Sequence, residues 1–408
     1  MRSFTKNEQR ILFFTNGGHF LAHTFILIFP SLATPLSAEL NLPFEEVLKI
    51  SFLMYLFYGL GSLPSGFLSD IISPKLSLTA YYFGIGISGI LVYFSMSRTQ
   101  LLLSLMALGI FLSIYHPATM GLISKTIKNR GLALGINGAF GSVGIASAPF
   151  LAGIISYLVG WRYVYLLLSV VSLLFGLFIN IINFEIKYIT EKTENPGEDD
   201  KNYTKLLYFV ILCVSFLLAG FVYRGQTLVL PTYFEQNVPF LYNLVKSISF
   251  IRLEGTKTLS ATILTSLVYV VSIAGQIAGG KIADKYELRY SYFLFFACAL
   301  PFLIMMYFFR NIPLLIVSMF FIMLTIGMQP IENSIIAKFT PSRWRNTGYA
   351  IKFTLTFGIS SFVIYPVGYF QTNYSLAAVF LLFSLVTGVL VLNNFILILA
   401  TRGITLKN

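Results

Sequence analysis

Three histidines, one arginine and one glutamate stand in this chain where almost no other ionisable group does. His19 and His23 lie in Asn16-Gly-Gly-His-Phe-Leu-Ala-His-Thr-Phe-Ile-Leu-Ile-Phe-Pro30 and His116 in Tyr115-His-Pro117. Arg224 lies in Tyr223-Arg-Gly-Gln226 and Glu332 in Gln329-Pro-Ile-Glu-Asn333, each within a long apolar run. His19 and His23 are four apart and Asn16 is a turn before His19, so the three share one helical face. An imidazole can bind a ligand, relay a proton or ligate a metal. A guanidinium keeps its charge and grips an anionic group with a planar fork. A carboxylate at such a depth can trade a proton with one side of a membrane at a time.

These readings have rivals. A Glu332–Arg224 ion pair, with the histidines hydrogen-bonded between helices, would be structural glue. The i, i+4 histidines also suit zinc, and an intramembrane zinc enzyme using all three is the alternative from another class. Phe20, however, occupies the place of the glutamate in His-Glu-x-x-His, so neither a metal nor a cofactor is expected. Asn16, Tyr115, Tyr223, Gln226, Gln329 and Asn333 are candidate lining around the five.

The elements that position these groups are membrane spans. Hydrophobic residues make up 56% of 408, charged residues 11%, and mean hydropathy is +0.79, which excludes a soluble domain. Twelve apolar segments are long enough to cross about 30 Å of hydrocarbon: 11–36, 47–69, 76–97, 101–125, 131–158, 162–184, 206–234, 259–283, 290–309, 312–338, 347–370 and 376–400. Cys213 and Cys298 fall inside spans and imply no disulfide framework. The net charge of +12 does not indicate nucleic acid, because the basic residues are scattered singly among short loops. Their distribution instead records orientation. Most lie on the side of the termini, and only Lys49, Arg98, Arg162, Lys246, Arg252, Lys257 and Arg310 on the far side. Both termini are therefore expected in the cytoplasm, with the chain in the plasma (inner) membrane. Lys352 counts among the cytoplasmic bases, near the start of span 11.

Residues 186–204 are polar, mixed in charge and carry Pro196-Gly197, so they read as a solvated linker. The expected organisation is a six-helix bundle over 1–185, the linker, and a second bundle over 205–408. An extracytoplasmic insertion falls at about 235–258. Within it Phe240, Leu241, Leu244, Val245 and Ile248 recur at helical spacing, as in a short interfacial helix.

The two halves echo one another. Span 2 runs into Gly66-Phe-Leu-Ser-Asp70 and span 8 into Gly280-Lys-Ile-Ala-Asp284. His23 precedes Pro30 by seven residues, and Arg224 precedes Pro231 by seven. His116-Pro117 stands nine residues before Lys125, and Gln329-Pro330 nine before Lys338. At about 1.5 Å per residue, His19, His116 and Gln329 then lie roughly 13 Å from the cytoplasmic edge, in one layer.

The Gly-x-Leu/Ile-Ala/Ser-Asp signature after spans 2 and 8, in a chain of six plus six helices, resembles the major facilitator superfamily. The second copy continues with Lys285 and Arg289. In the first, Ile71 and Ser73-Pro74 depart from the pattern and only Lys75 remains. The resemblance implies an all-α membrane protein of two six-helix bundles related by a pseudo-two-fold axis, with spans 1, 4, 7 and 10 around a central cavity. It implies a gating role for Gly66, Asp70, Lys75, Gly280, Asp284, Lys285 and Arg289, the aspartates facing the entering ends of spans 11 and 5. His19-Phe-Leu-Ala-His23 and Tyr115-His-Pro117 are further similar to the fosmidomycin-resistance-type efflux subgroup.

The function expected is a secondary active transporter, not an enzyme, moving a small anionic or zwitterionic organic molecule by alternating access with proton-coupled efflux. Proton-coupled uptake of an organic anion is the alternative. The partners expected are substrate, protons and the lipid bilayer, with no nucleic acid and a monomeric chain. His19, His23, His116, Arg224, Gln329, Asn16, Tyr115, Tyr223 and Gln226 would bind substrate, and Glu332 with His116 would couple protons.

Overall fold

The computed structural model describes residues 4–182, 184–186, 203–247, 255–340 and 345–402. Among them are twelve helical spans: Lys6–Ser31, Phe44–Ser69, Pro74–Tyr93, Arg98–Thr126, Gly131–Val159, Arg162–Ile181, Leu207–Asn237, Thr256–Lys285, Leu288–Phe308, Asn311–Ile336, Thr347–Asn373 and Ala378–Ala400. They match the twelve apolar segments in order, and no strand occurs among the described residues. Only helices satisfy every backbone polar group without water, which is why runs this apolar fold this way. The predicted linker falls almost wholly on 187–202, outside the described residues. In the predicted insertion a helix does form, at Phe240–Lys246, while Ile248 lies outside the described residues.

Spans 4 and 10 are broken at matching points. Span 4 is a helix Arg98–Leu112 followed by a second, Tyr115–Thr126, and span 10 a helix Asn311–Gly327 followed by Gln329–Phe339. Pro117 and Pro330 sit in the first turns of the second pieces. Proline is tolerated there because its missing N–H would be unsatisfied anyway. The breaks leave His116 and Gln329 at the start of a half-helix. Pro30 and Pro231, the other matched pair, both lie inside their helices in spans 1 and 7.

Close approach between spans depends on glycine. A Cβ on Gly141 of span 5 would stand 2.6 Å from the His19 ring, and one on Gly144 2.5 Å from the Phe20 carbonyl. Span 1 therefore beds on span 5 by backbone-level contact, as small residues permit in membranes. A Cβ on Gly59 of span 2 would fall 1.9 Å from the Gly358 nitrogen of span 11. Span 11 is irregular at that crossing, with a π-helical turn Thr354–Gly358 and a tight turn Ile359–Val363. Such turns inside membrane helices often mark working positions.

On the face away from the termini the two bundles meet. Thr34, just beyond span 1, donates to Glu235 of span 7 at 2.8 Å, and Gly153 of span 5 abuts Thr262 of span 8. Towards the termini the same helices draw apart. Gly138 still has the Gln276 carboxamide 3.8 Å from its Cβ direction, whereas Gly131 and Gly135, on the same stripe of span 5, face open space. Spans 5 and 8 thus close on each other at the far face and part toward the termini, while spans 2 and 11 stay in contact through Gly59, Thr354 and the helix Arg345–Phe353.

Candidate functional site

Span 1 carries its polar face inward and span 5 anchors it. The Asn137 carbonyl lies 2.7 Å from His19 Nδ1, and a carbonyl only accepts, so this nitrogen carries the proton. His19 Nε2 then presents a lone pair, and His23 Nε2 stands 3.1 Å from it. With both rings neutral, His23 donates through Nε2, and its Nδ1 is left buried without a hydrogen-bond partner among the described residues. His116 Nε2 is 3.0 Å from the Tyr58 hydroxyl. One nitrogen from each of the three rings lies within 4.8 Å of the others.

Asn16 and Tyr115 join this wall through Asn137. The Asn137 amide donates to Asn16 Oδ1 and to the Tyr115 hydroxyl, both at 3.1 Å, and that hydroxyl donates to the Thr15 carbonyl at 2.7 Å. Sequence reasoning missed Asn137. Its signal was a lone carboxamide among the glycines of Gly135-Ile-Asn-Gly138, a polar group with no cap or loop to explain it.

The opposite wall carries charge. Arg224 is 1% exposed, with its guanidinium 3.9 Å above the centre of the Tyr55 ring. Its Nε and Nη1 have no hydrogen-bond partner among the described residues. Nearby Gln226, also 1% exposed, has neither amide atom satisfied, and the buried Tyr269 hydroxyl is likewise orphaned. Cation–π stacking returns about 2 kcal/mol when desolvated, against an effective penalty of several kcal/mol for burying an ion. Tyr55 alone therefore does not offset the burial of Arg224.

Glu332 does not pair with Arg224. Its Oε2 is 2.5 Å from Lys352 Nζ, and its Oε1 accepts from the Tyr292 hydroxyl at 2.8 Å. Lys352 also donates to Asn333 Oδ1 at 2.7 Å and is 5% exposed. The expectation that Lys352 belongs with the cytoplasmic bases is corrected here. Its helix starts early enough for six residues to carry it inside, and its long side chain reaches span 10. Buried Glu332 and Lys352 cancel, so Arg224 leaves the crevice with one uncompensated positive charge.

The remaining candidates are placed as follows. Gln329 accepts from the Gln276 amide at 3.0 Å, and Tyr223 lies with its ring 6.3 Å from that of Phe357. Phe353 and Phe357 of span 11 stack in turn on His116, at 4.9 and 6.1 Å, so the histidine wall is covered by rings of the other bundle. Of the signature residues, Gly66 packs near Pro117, Lys75 lies 5.4 Å from the centre of the Phe184 ring, and Gly280 faces open space. Asp284 and Lys285 are exposed, and Asp284 makes no hydrogen bond or ion pair among the described residues. Arg289 is buried, bonded to Glu287 at 2.6 Å and to the Thr401 carbonyl at 2.6 Å, which ties span 9 to the end of span 12. The Asp70 side chain lies outside what the structure describes.

Twelve spans in two six-helix bundles, with buried polar groups gathered between them, define a multi-pass membrane transporter. Residues 12–364 match the Major Facilitator Superfamily, and the chain belongs to that family. Its members work by alternating access and are not enzymes. The fold is similar to that of a bacterial homolog of the human lysosomal transporter Spinster in an inward-facing, occupied conformation. That match has 14% identity, a TM-score of 0.75 and 98% of each chain covered. The same homolog in its inward-facing, unoccupied conformation gives 14%, 0.68, and 98% of this chain on 96% of that one. The inward-open xylose transporter XylE of E. coli gives 13%, 0.76 and 98% of each. No curated protein matches at the sequence level.

Proposed function

We propose that this transporter carries a small organic anion, held by Arg224 in the crevice between the bundles. The observation that carries the reading is a buried guanidinium that, among the described residues, has no ion pair and two nitrogens unsatisfied. An anionic cargo supplies the missing charge, and a planar carboxylate or phosphate matches the free fork. Gln226 and Tyr269 offer the neutral contacts that fix orientation, with Asn16, Tyr115, Tyr223 and Gln329 as further lining.

Proton coupling is assigned to Glu332. Protonation would cancel its bond to Lys352 and free that ammonium, so the charge facing the cargo changes with proton occupancy. His116, stacked between the two bundles, is the second proton-coupling candidate. The direction proposed is export, on the span 1 and span 4 motifs. The proposed setting is a monomer in the plasma membrane with both termini cytoplasmic, bundles at 1–185 and 205–408 and a linker between. The two aspartate signatures would act at the cytoplasmic gate.

A thermal-shift screen of small organic anions on wild type and Arg224→Ala tests the cargo class, followed by flux of any hit in proteoliposomes. Compounds that stabilise and are transported by wild type alone are the expected result. Anions that stabilise both proteins equally, or transport confined to neutral and cationic compounds, would overturn it.

A further inference from the structure

We infer that His19, His23 and His116 form a binding site for a divalent transition-metal ion of the Zn2+ or Co2+ kind. The inference goes beyond the anion reading and does not need it, because the three donors all come from spans 1 and 4.

The donor set suits such an ion. Three neutral imidazoles are preferred by zinc, cobalt, nickel and copper over magnesium or calcium, which favour oxygen. The cluster holds His19 in the state a metal requires. Its Nδ1–H is committed to the Asn137 carbonyl, which fixes the ring and leaves the Nε2 lone pair free, the outer contact that metal-bound histidines commonly have. Gly141 lets span 5 come close enough to make that contact, since a Cβ there would stand 2.6 Å from His19 Nε2.

Spacing agrees. Zinc–nitrogen bonds of about 2.0–2.1 Å put two tetrahedral ligands about 3.3 Å apart. His19 and His23 Nε2 are 3.1 Å apart. The donors of all three rings lie within 4.8 Å, so the third closes by about 1.5 Å or less, within reach of a side-chain rotation. Without a metal the two Nε2 atoms face each other across a single hydrogen bond in a buried site. A metal replaces the His19–His23 hydrogen bond with two bonds once the His23 proton passes from Nε2 to Nδ1, and it leaves at least one coordination position for water or an anion.

Both ends of the site belong to the N-terminal bundle, spans 1 and 4, so the ion does not clamp the bundles together. Phe353 and Phe357 of the other bundle cover His116. The ion therefore enters when the bundles separate.

The test uses the full chain, purified in detergent with any affinity tag removed and stripped with chelator, then titrated with Co2+ and read by visible absorption. Wild type is expected to bind one Co2+ per chain with the intense d–d bands of a four-coordinate ion, which Zn2+ abolishes by displacement. His19→Gln and His116→Gln are expected to weaken Co2+ binding by about 10- to 100-fold or more. Arg224→Gln is expected to keep Co2+ binding or tighten it, because it removes a neighbouring positive charge, whereas it should abolish anion binding, which separates this site from the anion reading. Thermal midpoints without metal verify that each variant folds; if His19→Gln fails, His116→Gln carries the test. Wild type binding no more cobalt than the histidine variants, or a spectrum unaltered by them, would overturn the site.

Discussion

The two walls of the crevice solve the same problem in opposite ways. The N-terminal wall holds three histidines, Asn16, Tyr115 and Asn137, all formally neutral and stitched into a network in which His23 Nδ1 is the stranded ring nitrogen. The C-terminal wall holds Arg224, Glu332 and Lys352, all charged, with one charge balanced and one not. A neutral network is cheap to bury and adapts by moving protons. A fixed charge is expensive to bury and waits for a partner. On the proposed reading they divide the work: one wall would attract an anion, and the other would supply donors whose state can change.

The largest effect should come from breaking the balanced pair. Glu332→Gln leaves the Lys352 ammonium buried opposite a neutral amide, and loss of about 3–5 kcal/mol is expected for such an orphan. It should read as a lowered thermal midpoint of the purified protein. Lys352→Gln should do the same, and the double variant should recover most of the loss. In proteoliposomes Glu332→Gln and the double variant should lose uphill, pH-driven transport but keep counterflow exchange. A double variant as unstable as the singles would mean that the pair is not a unit; unchanged uphill transport would remove Glu332 from coupling.

Arg224 should behave the other way, which sharpens the contrast between a balanced and an unbalanced charge. Arg224→Gln should cut transport of an anionic cargo by about 30-fold or more, the worth of one buried charged contact. Yet it should raise the thermal midpoint in the absence of ligand, because a burial cost of several kcal/mol exceeds the roughly 2 kcal/mol of stacking on Tyr55. A destabilised Arg224→Gln would show that the guanidinium is structural.

How far this contrast could be read beforehand differs between the walls. The neutral wall was largely visible. His19 and His23 announce their shared face by i, i+4 spacing, and His116 stands out as an imidazole in an apolar run, while the breaks in spans 4 and 10 appear only in the structure. The fold was equally open to reading, because twelve apolar runs admit few alternatives to helices across a bilayer. The charged wall was only half visible. Arg224 and Glu332 were evident from depth along their own spans, but Lys352 was not. Its place depends on a contact between spans 10 and 11, and periodicity along one helix carries no information about which neighbour a long side chain reaches. Asn137 escaped for the same reason, its partners lying on spans 1 and 4.

The walls can cooperate only if their spacing changes, and Gly59 tests that spacing next. Gly59→Ala puts a methyl group 1.9 Å from the Gly358 nitrogen, where only backbone can give way. Overpacking of this sort costs about 1–3 kcal/mol, and only in the state where spans 2 and 11 touch. The expected outcome is a shift toward the conformation in which they part, measured as a longer spin-label distance across the span 2–span 11 crossing with cargo binding retained. An unmoved distance with loss of folding would show that this contact persists throughout the cycle.

The smallest effect concerns the far seam. Thr34 donates to Glu235 across it at 2.8 Å, and Thr34→Val removes the donor while keeping the shape. Both groups are half-buried, so loss of the bond should cost about 0.5–1.5 kcal/mol, and it falls on the far-closed state alone. Since 1.4 kcal/mol is tenfold in an equilibrium constant, the population open at the far face should rise by about two- to tenfold. Labelling of an engineered far-face cysteine in a background lacking Cys213 and Cys298 would read that change as faster modification. A rate equal to wild type would assign closure of the seam to the close packing of Gly153 against Thr262. In that case polar groups would govern what the crevice binds, and helix packing alone would govern when it opens.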